Sequence, residues 1–295
     1  MTQPTIKEPG RFDFLPIVDR PPLTLPDNAR VAVWVIPNVE HFLFDRPSTS
    51  ITAVTTGLVP DVLNYSWRDY GPRAGFWRML DVLNKHGIRG TAALNADVCH
   101  YYPQLIKAGN ACGWEWMAHG KNNSQMLTGL ELDDERTFIN EVIDTIEQGT
   151  GARPRGWLSP ALSETHNTPD VLAEAGIQYT ANWVNDELPN RVKVKEGSLI
   201  SIPYSIEVND IPALLDLKQS GERFGQMICD TYDVLHEDGA KTPRVMAIAL
   251  HPFLIGHPHR SKYFDKALQH IRDKGGAWFA TGSEIVDWYL EQETR

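Results

Sequence analysis

Short apolar runs alternate with longer amphipathic stretches from residue 31 onward. Eight of the apolar runs have the composition of strands: RVAVWVIPNV, GTAALN, EWMAHG, PRGWLSP, QYTANW, LISIPYS, RVMAIALHP and GAWFATG. Six stretches between them have helical periodicity: RAGFWRMLDVLNKHG, YPQLIKAGN, DDERTFINEVIDTIEQGTG, TPDVLAEAG, FGQMICDTYDVLHEDG and YFDKALQHIRDKGG. Strands that alternate with helices predict an α/β fold with a parallel sheet covered by helices, either a barrel or a doubly wound sheet.

The domain organisation follows from the same pattern. Residues 1–30 are rich in proline and lack helical periodicity. This composition predicts an extended arm that lies over the domain surface or over a partner subunit. Residues 31–295 are predicted to form a single domain, because the chain has 295 residues, 42% of them hydrophobic, enough for one large core.

Composition excludes several classes of partner. The formal charge is -10, and no basic block or Lys/Arg-rich helix face is present, which argues against nucleic acid and anionic membranes. The sequence contains no run of about 18 apolar residues, so no membrane span is predicted. The three cysteines, Cys99, Cys112 and Cys229, are far apart and are typical of a reduced compartment. We therefore expect a cytoplasmic protein with a small-molecule substrate.

Polar residues follow the predicted strands at their carboxyl ends. Glu40 and His41 end the first strand, His119 and Asn123 follow the third, and His251 directly follows the seventh. In a (β/α) barrel the active site forms at this rim, where the strand ends converge. Taken singly, each residue has a structural alternative, a solvated loop glutamate or a histidine bonded to backbone. Their shared position favours a functional site.

A carboxylate beside two imidazoles suits hydrolysis. The carboxylate can remove a proton from water, and an imidazole can protonate a leaving nitrogen or oxygen. His41, His119 and a carboxylate would equally suit a metal ion with an open water position. There is no G-x-S-x-G sequence, which argues against a serine nucleophile, and no G-x-G-x-x-G or P-loop sequence for a nucleotide.

The succession NVEH, AHGKNN, RPRGWLSP and ALHP resembles the motifs of the polysaccharide deacetylase (NodB-homology, carbohydrate esterase 4-like) superfamily. Residues 70–95 and the sequence RGWLSP are most similar to its allantoinase-like branch, which includes metal-independent allantoinases and cyclic-imide hydrolases. The resemblance spans residues 30–285 and implies an irregular parallel (β/α) barrel.

The resemblance also implies roles for individual residues. Glu40 stands at the position of the general base, His251 at that of the general acid, and Arg155 at that of the arginine that orients the acid. Asn38, His119, Trp157 and Ser159 are expected to bind substrate. The substrate class of the branch is a small cyclic amide, imide or ureide whose ring C–N bond is hydrolysed. A homodimer or homotetramer is the expected assembly.

The metal motifs of the superfamily are altered in this chain. His41 replaces the metal-binding aspartate of the first motif, and Asn123 replaces the second histidine of the His-Ser-x-x-His motif. A set of His41, His119 and Asn123 has no carboxylate, and an amide oxygen is a poor ligand for zinc. We therefore expect no cofactor, with a zinc-like divalent ion at these three residues as the alternative.

Two other functions remain open on the sequence. A metal-dependent N-deacetylase of a polysaccharide or small molecule would need His41 and His119 to hold the ion. A non-catalytic member that only binds a ligand is suggested by the altered metal motifs. Retention of Glu40, Arg155 and His251 argues against it, because a binding protein has no need of an acid–base pair.

Overall fold

A computed structural model describes residues 9–293; the first eight residues of the predicted arm and residues 294–295 lie outside the described part. The strands are β1 (Val31–Val39), β2 (Thr91–Leu94), β3 (Glu115–Ala118), β4 (Gly156–Trp157), β5 (Tyr179–Thr180), β6 (Asn190–Val192), β7 (Leu199–Ser201), β8 (Arg244–Leu250) and β9 (Ala277–Phe279). The α-helices are α1 (Val62–Tyr70), α2 (Phe76–Lys85), α3 (Ala96–Tyr101), α4 (Pro103–Ala111), α5 (Leu132–Thr150), α6 (Thr168–Glu174), α7 (Gly221–Asp238), α8 (Pro252–Ile255), α9 (Pro258–Lys274) and α10 (Gly282–Glu293).

These strands form one sheet in the order β6-β7-β5-β4-β3-β2-β1-β8, and β9 pairs with the first residues of β1 on the edge opposite β8. All strand pairs are parallel except β6 with β7. The sheet curls into a half-barrel with helices on its outer face. The irregular parallel (β/α) barrel that the resemblance implied is confirmed, and the alternation of strands and helices is present as predicted.

Strand β1 lies at the centre of the architecture, and all nine of its residues are buried. Its side chains alternate between two cores, as successive residues of a strand must. Ala32, Trp34 and Ile36 belong to one hydrophobic cluster, and Val33 and Val35 belong to the other, which includes the buried residues of α2, α5, α7 and α9. Burial on both faces explains why β1 is almost continuously apolar in sequence.

All eight predicted strands are present, and the six predicted helices match α2, α4, α5, α6, α7 and α9. The pattern missed β6, which is short and has an exposed arginine between its two neighbours. It also missed α1, α3, α8 and α10. Two helix ends were correctly marked by glycine, because Gly151 follows α5 with φ 83° and Gly275 follows α9 with φ 72°.

The described part of the arm, residues 9–30, packs on its own domain. Arg11 makes an ion pair of 2.9 Å with Asp170 at α6. Near the other end, the carbonyl oxygen of Thr24 accepts a hydrogen bond of 2.7 Å from the indole of Trp288 in α10. Within residues 9–293, no helix is both long and apolar enough to cross a membrane.

Candidate active site

A cavity of about 450 Å³ opens at the carboxyl ends of the strands. Its polar lining residues include Glu40, His119, Ser159, Tyr204 and His251. Its apolar walls come from loop residues: Met126, Leu158, Leu162, Ile206, Ile211 and Pro212. The volume is in the range typical of small-molecule sites, and the combination of apolar walls with a few convergent polar groups is typical of them as well.

Glu40 and His251 meet because their strands are neighbours. Strands β1 and β8 pair in parallel with Pro37 opposite Leu250, so both chains leave the sheet at the same edge. Oε1 of Glu40 lies 3.5 Å from Nε2 of His251, and both side chains are almost completely buried. The predicted base and acid are therefore in direct contact.

Asp210 holds the imidazole of His251 from the opposite side. Its Oδ1 accepts a hydrogen bond of 2.6 Å from Nδ1 of His251, and its carboxylate also accepts the backbone N–H of His251 at 2.9 Å. Burial alone would lower the pKa of His251, but the charges of Glu40 and Asp210 outweigh it and raise that pKa to about 10. His251 is thus an imidazolium at neutral pH, with Nε2–H directed towards Glu40.

Two further side chains hold Glu40. Nε2 of His119 lies 3.4 Å from Oε1 of Glu40, and Nδ2 of Asn123 donates a hydrogen bond to the same oxygen. Nδ1 of His119 donates to the carbonyl oxygen of Leu158 at 2.6 Å, which fixes the ring orientation. Burial alone would raise the pKa of Glu40, but His251 and His119 outweigh it and lower that pKa to about 2.

One oxygen of Glu40 takes all of these contacts. Its Oε2 atom is buried and has no hydrogen-bond partner in the described part of the chain. A carboxylate that is ionised at neutral pH and keeps one oxygen free of protein donors can accept a proton from water.

The three residues predicted as metal ligands do not direct their ligand atoms into one site. The ring of His41 stacks on Tyr101, with 4.4 Å between ring centroids, and His41 does not line the cavity. Oδ1 of Asn123 accepts a hydrogen bond of 3.1 Å from Asn95, so its amide nitrogen, not its oxygen, faces Glu40. Among residues 9–293, no cluster of three His, Cys, Asp or Glu side chains has a spacing that could hold a metal ion. The prediction of His41, His119 and Asn123 as metal ligands is corrected, because His41 and the amide oxygen of Asn123 have other partners.

Arg155 does not reach the site, and its predicted role as the partner of His251 is corrected. It precedes β4, which places it at the amino end of the sheet, opposite to the cavity. There it makes hydrogen bonds with Asp287, at 3.0 Å, and with Gln178, at 2.7 Å. Asp210 takes the role that the resemblance implied for Arg155.

Of the four predicted substrate-binding residues, Asn38, His119 and Ser159 line the cavity, and Trp157 does not. The indole of Trp157 is fully buried in the hydrophobic core, and its Nε1 atom donates a hydrogen bond of 2.8 Å to Oγ of Ser159. Trp157 therefore supports the wall of the cavity from behind.

The sequence interpretation missed Asp210, Tyr204 and Asn209, all in the segment that follows β7. Asn209 forms an isolated parallel bridge with Ala249 of β8, and this bridge brings the segment beside His251. The only signal in the sequence is the polar pair of Asn209 and Asp210 within an apolar stretch, a weak pattern because the pair does not directly follow a predicted strand.

A larger cavity, of about 980 Å³, lies between the arm and the loops before α5 and α6, and is lined by Arg11, Glu164, His166 and Trp183 among others. Glu164 accepts a hydrogen bond of 2.7 Å from Asn182. No acid–base contact like that of Glu40 with His251 occurs between lining residues of this cavity in the described part of the chain. The smaller cavity is therefore the candidate active site.

The chain is similar to several known proteins. Residues 65–180 match the family described as polysaccharide deacetylase. A protein of Schizosaccharomyces pombe named as a polysaccharide deacetylase is 26% identical over 290 residues, which cover 88% of this chain and 90% of that protein.

Solved structures show the same fold over nearly the whole chain. A protein from Pseudomonas aeruginosa described as a polysaccharide deacetylase superposes with a TM-score of 0.84 at 25% identity, covering 94% of this chain and 96% of that one. Puue allantoinase superposes with a TM-score of 0.82 at 24% identity, covering 94% and 95%. These findings bear out the predicted resemblance to polysaccharide deacetylases and the prediction of a hydrolase that acts on non-peptide C–N bonds.

Proposed function

We propose that the protein hydrolyses a ring C–N bond of a small cyclic amide, imide or ureide, with Glu40 as general base and His251 as general acid. The contact between these two residues in the cavity, with Asp210 behind His251, is the observation that carries the proposal. At neutral pH the low pKa of Glu40 keeps the base ionised, and the raised pKa of His251 keeps the acid protonated.

The proposed reaction balances with the residues of this chain. Glu40 removes a proton from water while the water oxygen bonds to the ring carbonyl carbon. His251 then gives its Nε2 proton to the ring nitrogen as the C–N bond breaks. The 3.5 Å contact between Glu40 and His251 allows the proton on Glu40 to return to His251, which restores both groups.

The walls of the cavity favour a small ring over a sugar chain. Leu158, Leu162, Ile206 and Ile211 present apolar surface around the polar floor. Sugar hydroxyls placed against these walls would lose their hydrogen bonds to water without gaining others, which costs free energy. A flat ring can bury its apolar faces there while its polar edge meets the polar residues.

The decisive experiment is a hydrolysis screen of the purified protein. Ring opening of allantoin, hydantoin, dihydrouracil, succinimide and maleimide is followed beside acetate release from N-acetylglucosamine oligomers, each with and without a chelator. Ring opening that persists with the chelator supports the proposal. Acetate release that the chelator stops, without any ring opening, would replace it with metal-dependent deacetylation.

Replacing Asp210 by Asn tests whether the charge of Asp210 keeps His251 protonated. Without the charge of Asp210, the pKa of His251 falls, so the imidazole loses its proton at lower pH. Because kcat/KM reports the free enzyme, its decline at high pH is expected to move from near pH 10 downwards by about one unit or more. A profile of kcat/KM from pH 5 to 11 measures the shift. An alkaline limb that does not move would show that Asp210 does not raise the pKa of the general acid.

A further inference from the structure

Two hydroxyl groups of the cavity, those of Ser159 and Tyr204, accept hydrogen bonds but donate none to any residue between 9 and 293. Oγ of Ser159 accepts from Nε1 of Trp157 at 2.8 Å and from Nδ2 of Asn182 at 3.0 Å. A hydroxyl group has two acceptor positions and one hydrogen. Both acceptor positions of Ser159 are thus occupied, and only its hydrogen is left for a further partner.

The direction of these bonds is fixed by the chemistry of the partners. An indole nitrogen can only donate. Oδ1 of Asn182 accepts the backbone N–H of Ser159 at 2.7 Å, and Nδ2 of Asn182 donates to the carboxylate of Glu164. The atom of Asn182 that faces Oγ must therefore be its nitrogen, and Ser159 must be the acceptor.

Tyr204 has the same arrangement with two other amides. Its hydroxyl oxygen accepts from Nδ2 of Asn38 at 3.5 Å and from Nδ2 of Asn209 at 3.4 Å. Nδ2 of Asn38 also donates to the backbone carbonyl of Leu250, and Oδ1 of Asn209 accepts the backbone N–H of Ile211, so neither amide can be reversed. Burial raises the pKa of Tyr204, which keeps its hydrogen in place.

Neither hydroxyl hydrogen has an acceptor in the part of the chain that the structure describes, although Ser159 is fully buried and Tyr204 nearly so. Buried polar groups normally satisfy their hydrogen-bonding capacity, and both residues line the active cavity. We propose that the hydroxyls of Ser159 and Tyr204 are preorganised hydrogen-bond donors that bind two carbonyl oxygens of the substrate.

The positions of the two donors assign one carbonyl to each. Tyr204 is held by Asn38, two residues before the base Glu40, and by Asn209, the neighbour of Asp210. It therefore lies on the side of the acid–base pair and is assigned to the reacting carbonyl, where negative charge develops. Ser159 follows β4 and is bonded to Trp157 and Asn182, so it is assigned to the second carbonyl of the substrate. This inference rests on the proposed function and narrows its substrate to rings with two carbonyl groups.

The assignment of Ser159 is tested by binding in the Glu40→Gln background, in which hydrolysis is expected to be about 100-fold slower or more. Succinimide and 2-pyrrolidinone have the same ring size and differ by one carbonyl. Ser159→Ala is expected to weaken succinimide binding about 5- to 10-fold, the scale of one hydrogen bond, and to leave 2-pyrrolidinone binding within about 2-fold. Calorimetric titration measures both dissociation constants. Equal effects on the two ligands, or none, would overturn the assignment.

A matched control is Ser163→Ala in the same loop, because the hydroxyl of Ser163 already donates to the carbonyl of Pro160. It is expected to change neither dissociation constant. If Ser159→Ala fails to fold, the Glu40→Gln protein alone decides: succinimide must bind at least about 5-fold more tightly than 2-pyrrolidinone, and equal affinities would refute the second donor.

The assignment of Tyr204 is tested by Tyr204→Phe with an imide that the wild-type protein opens. Loss of an oxyanion donor is expected to lower kcat about 100-fold and to leave KM and the pH limbs nearly unchanged. Tyr101→Phe is the control. A kcat within about 3-fold of wild type refutes the role of Tyr204. Failure of the wild-type protein to open any ring instead refutes the proposed function, while the binding tests of Ser159 remain decisive by themselves.

Discussion

Replacing Glu40 by Gln is expected to lower kcat for ring opening by about 100-fold or more, the scale of a positioned general base. Glutamine keeps the size of the side chain and an oxygen atom for Asn123, but it cannot take a proton from water. Its neutral amide also removes the charge that raises the pKa of His251. Steady-state kinetics on the best substrate of the screen measure the loss.

The matched control for Glu40 is Glu141→Gln, which removes an exposed carboxylate paired with Lys121 on the surface. We expect its kcat to equal that of the wild-type protein. Thermal unfolding of both variants separates loss of the base from loss of the fold. Wild-type turnover by a folded Glu40→Gln protein would remove Glu40 from the mechanism.

Replacing His251 by Gln is the second change with a large expected effect, again about 100-fold or more in kcat. Glutamine can donate a hydrogen bond to Asp210, but it cannot transfer a proton to the ring nitrogen. The alkaline limb of kcat/KM near pH 10 is therefore expected to disappear, because the group that causes it is gone. A pH profile of the variant measures this directly.

The leaving group provides a stricter test of the same residue. A ring nitrogen that carries an electron-withdrawing substituent leaves with less need for a proton, so the deficit of His251→Gln should shrink for such substrates. His257→Gln is the control, since the ring of His257 stacks on Tyr70 and does not line the cavity. A deficit that stays constant across leaving groups would contradict the assignment of His251 as general acid.

The fold could be predicted well from the sequence because buried strands and helices leave a clear pattern of apolar residues. Strand β1 is apolar throughout, since helices cover one face of the sheet and the barrel interior lies on the other. Glu40 and His251 were found for a related reason. Each is the first strongly polar side chain after a long buried strand, and parallel strands end at a common edge.

Residues next to a strand were harder to place, because their direction is not visible in composition. Arg155 stands before β4 and lies at the opposite end of the sheet, beside Asp287. His41 directly follows Glu40, but its ring stacks on Tyr101 and only Glu40 lines the cavity. Trp157 is turned into the core.

Asp210 and Tyr204 could not be predicted from the sequence, since no regular element carries them to the site. They lie in an irregular segment after β7, and its position is set by one bridge between Asn209 and Ala249 and by hydrogen bonds such as that of Asp210 with His251. These are contacts between distant parts of the chain. Only tertiary structure reveals them.

The pairing of β1 has a consequence for synthesis of the protein on the ribosome. Strand β1 forms two residue pairs with β2 but seven with β8, whose residues are made more than 200 positions later. The nascent chain therefore carries its most apolar strand with one edge uncovered through most of translation, which makes early chains prone to aggregate. Base and acid meet only after β8 has emerged, so an incomplete chain that stops before it has no active site.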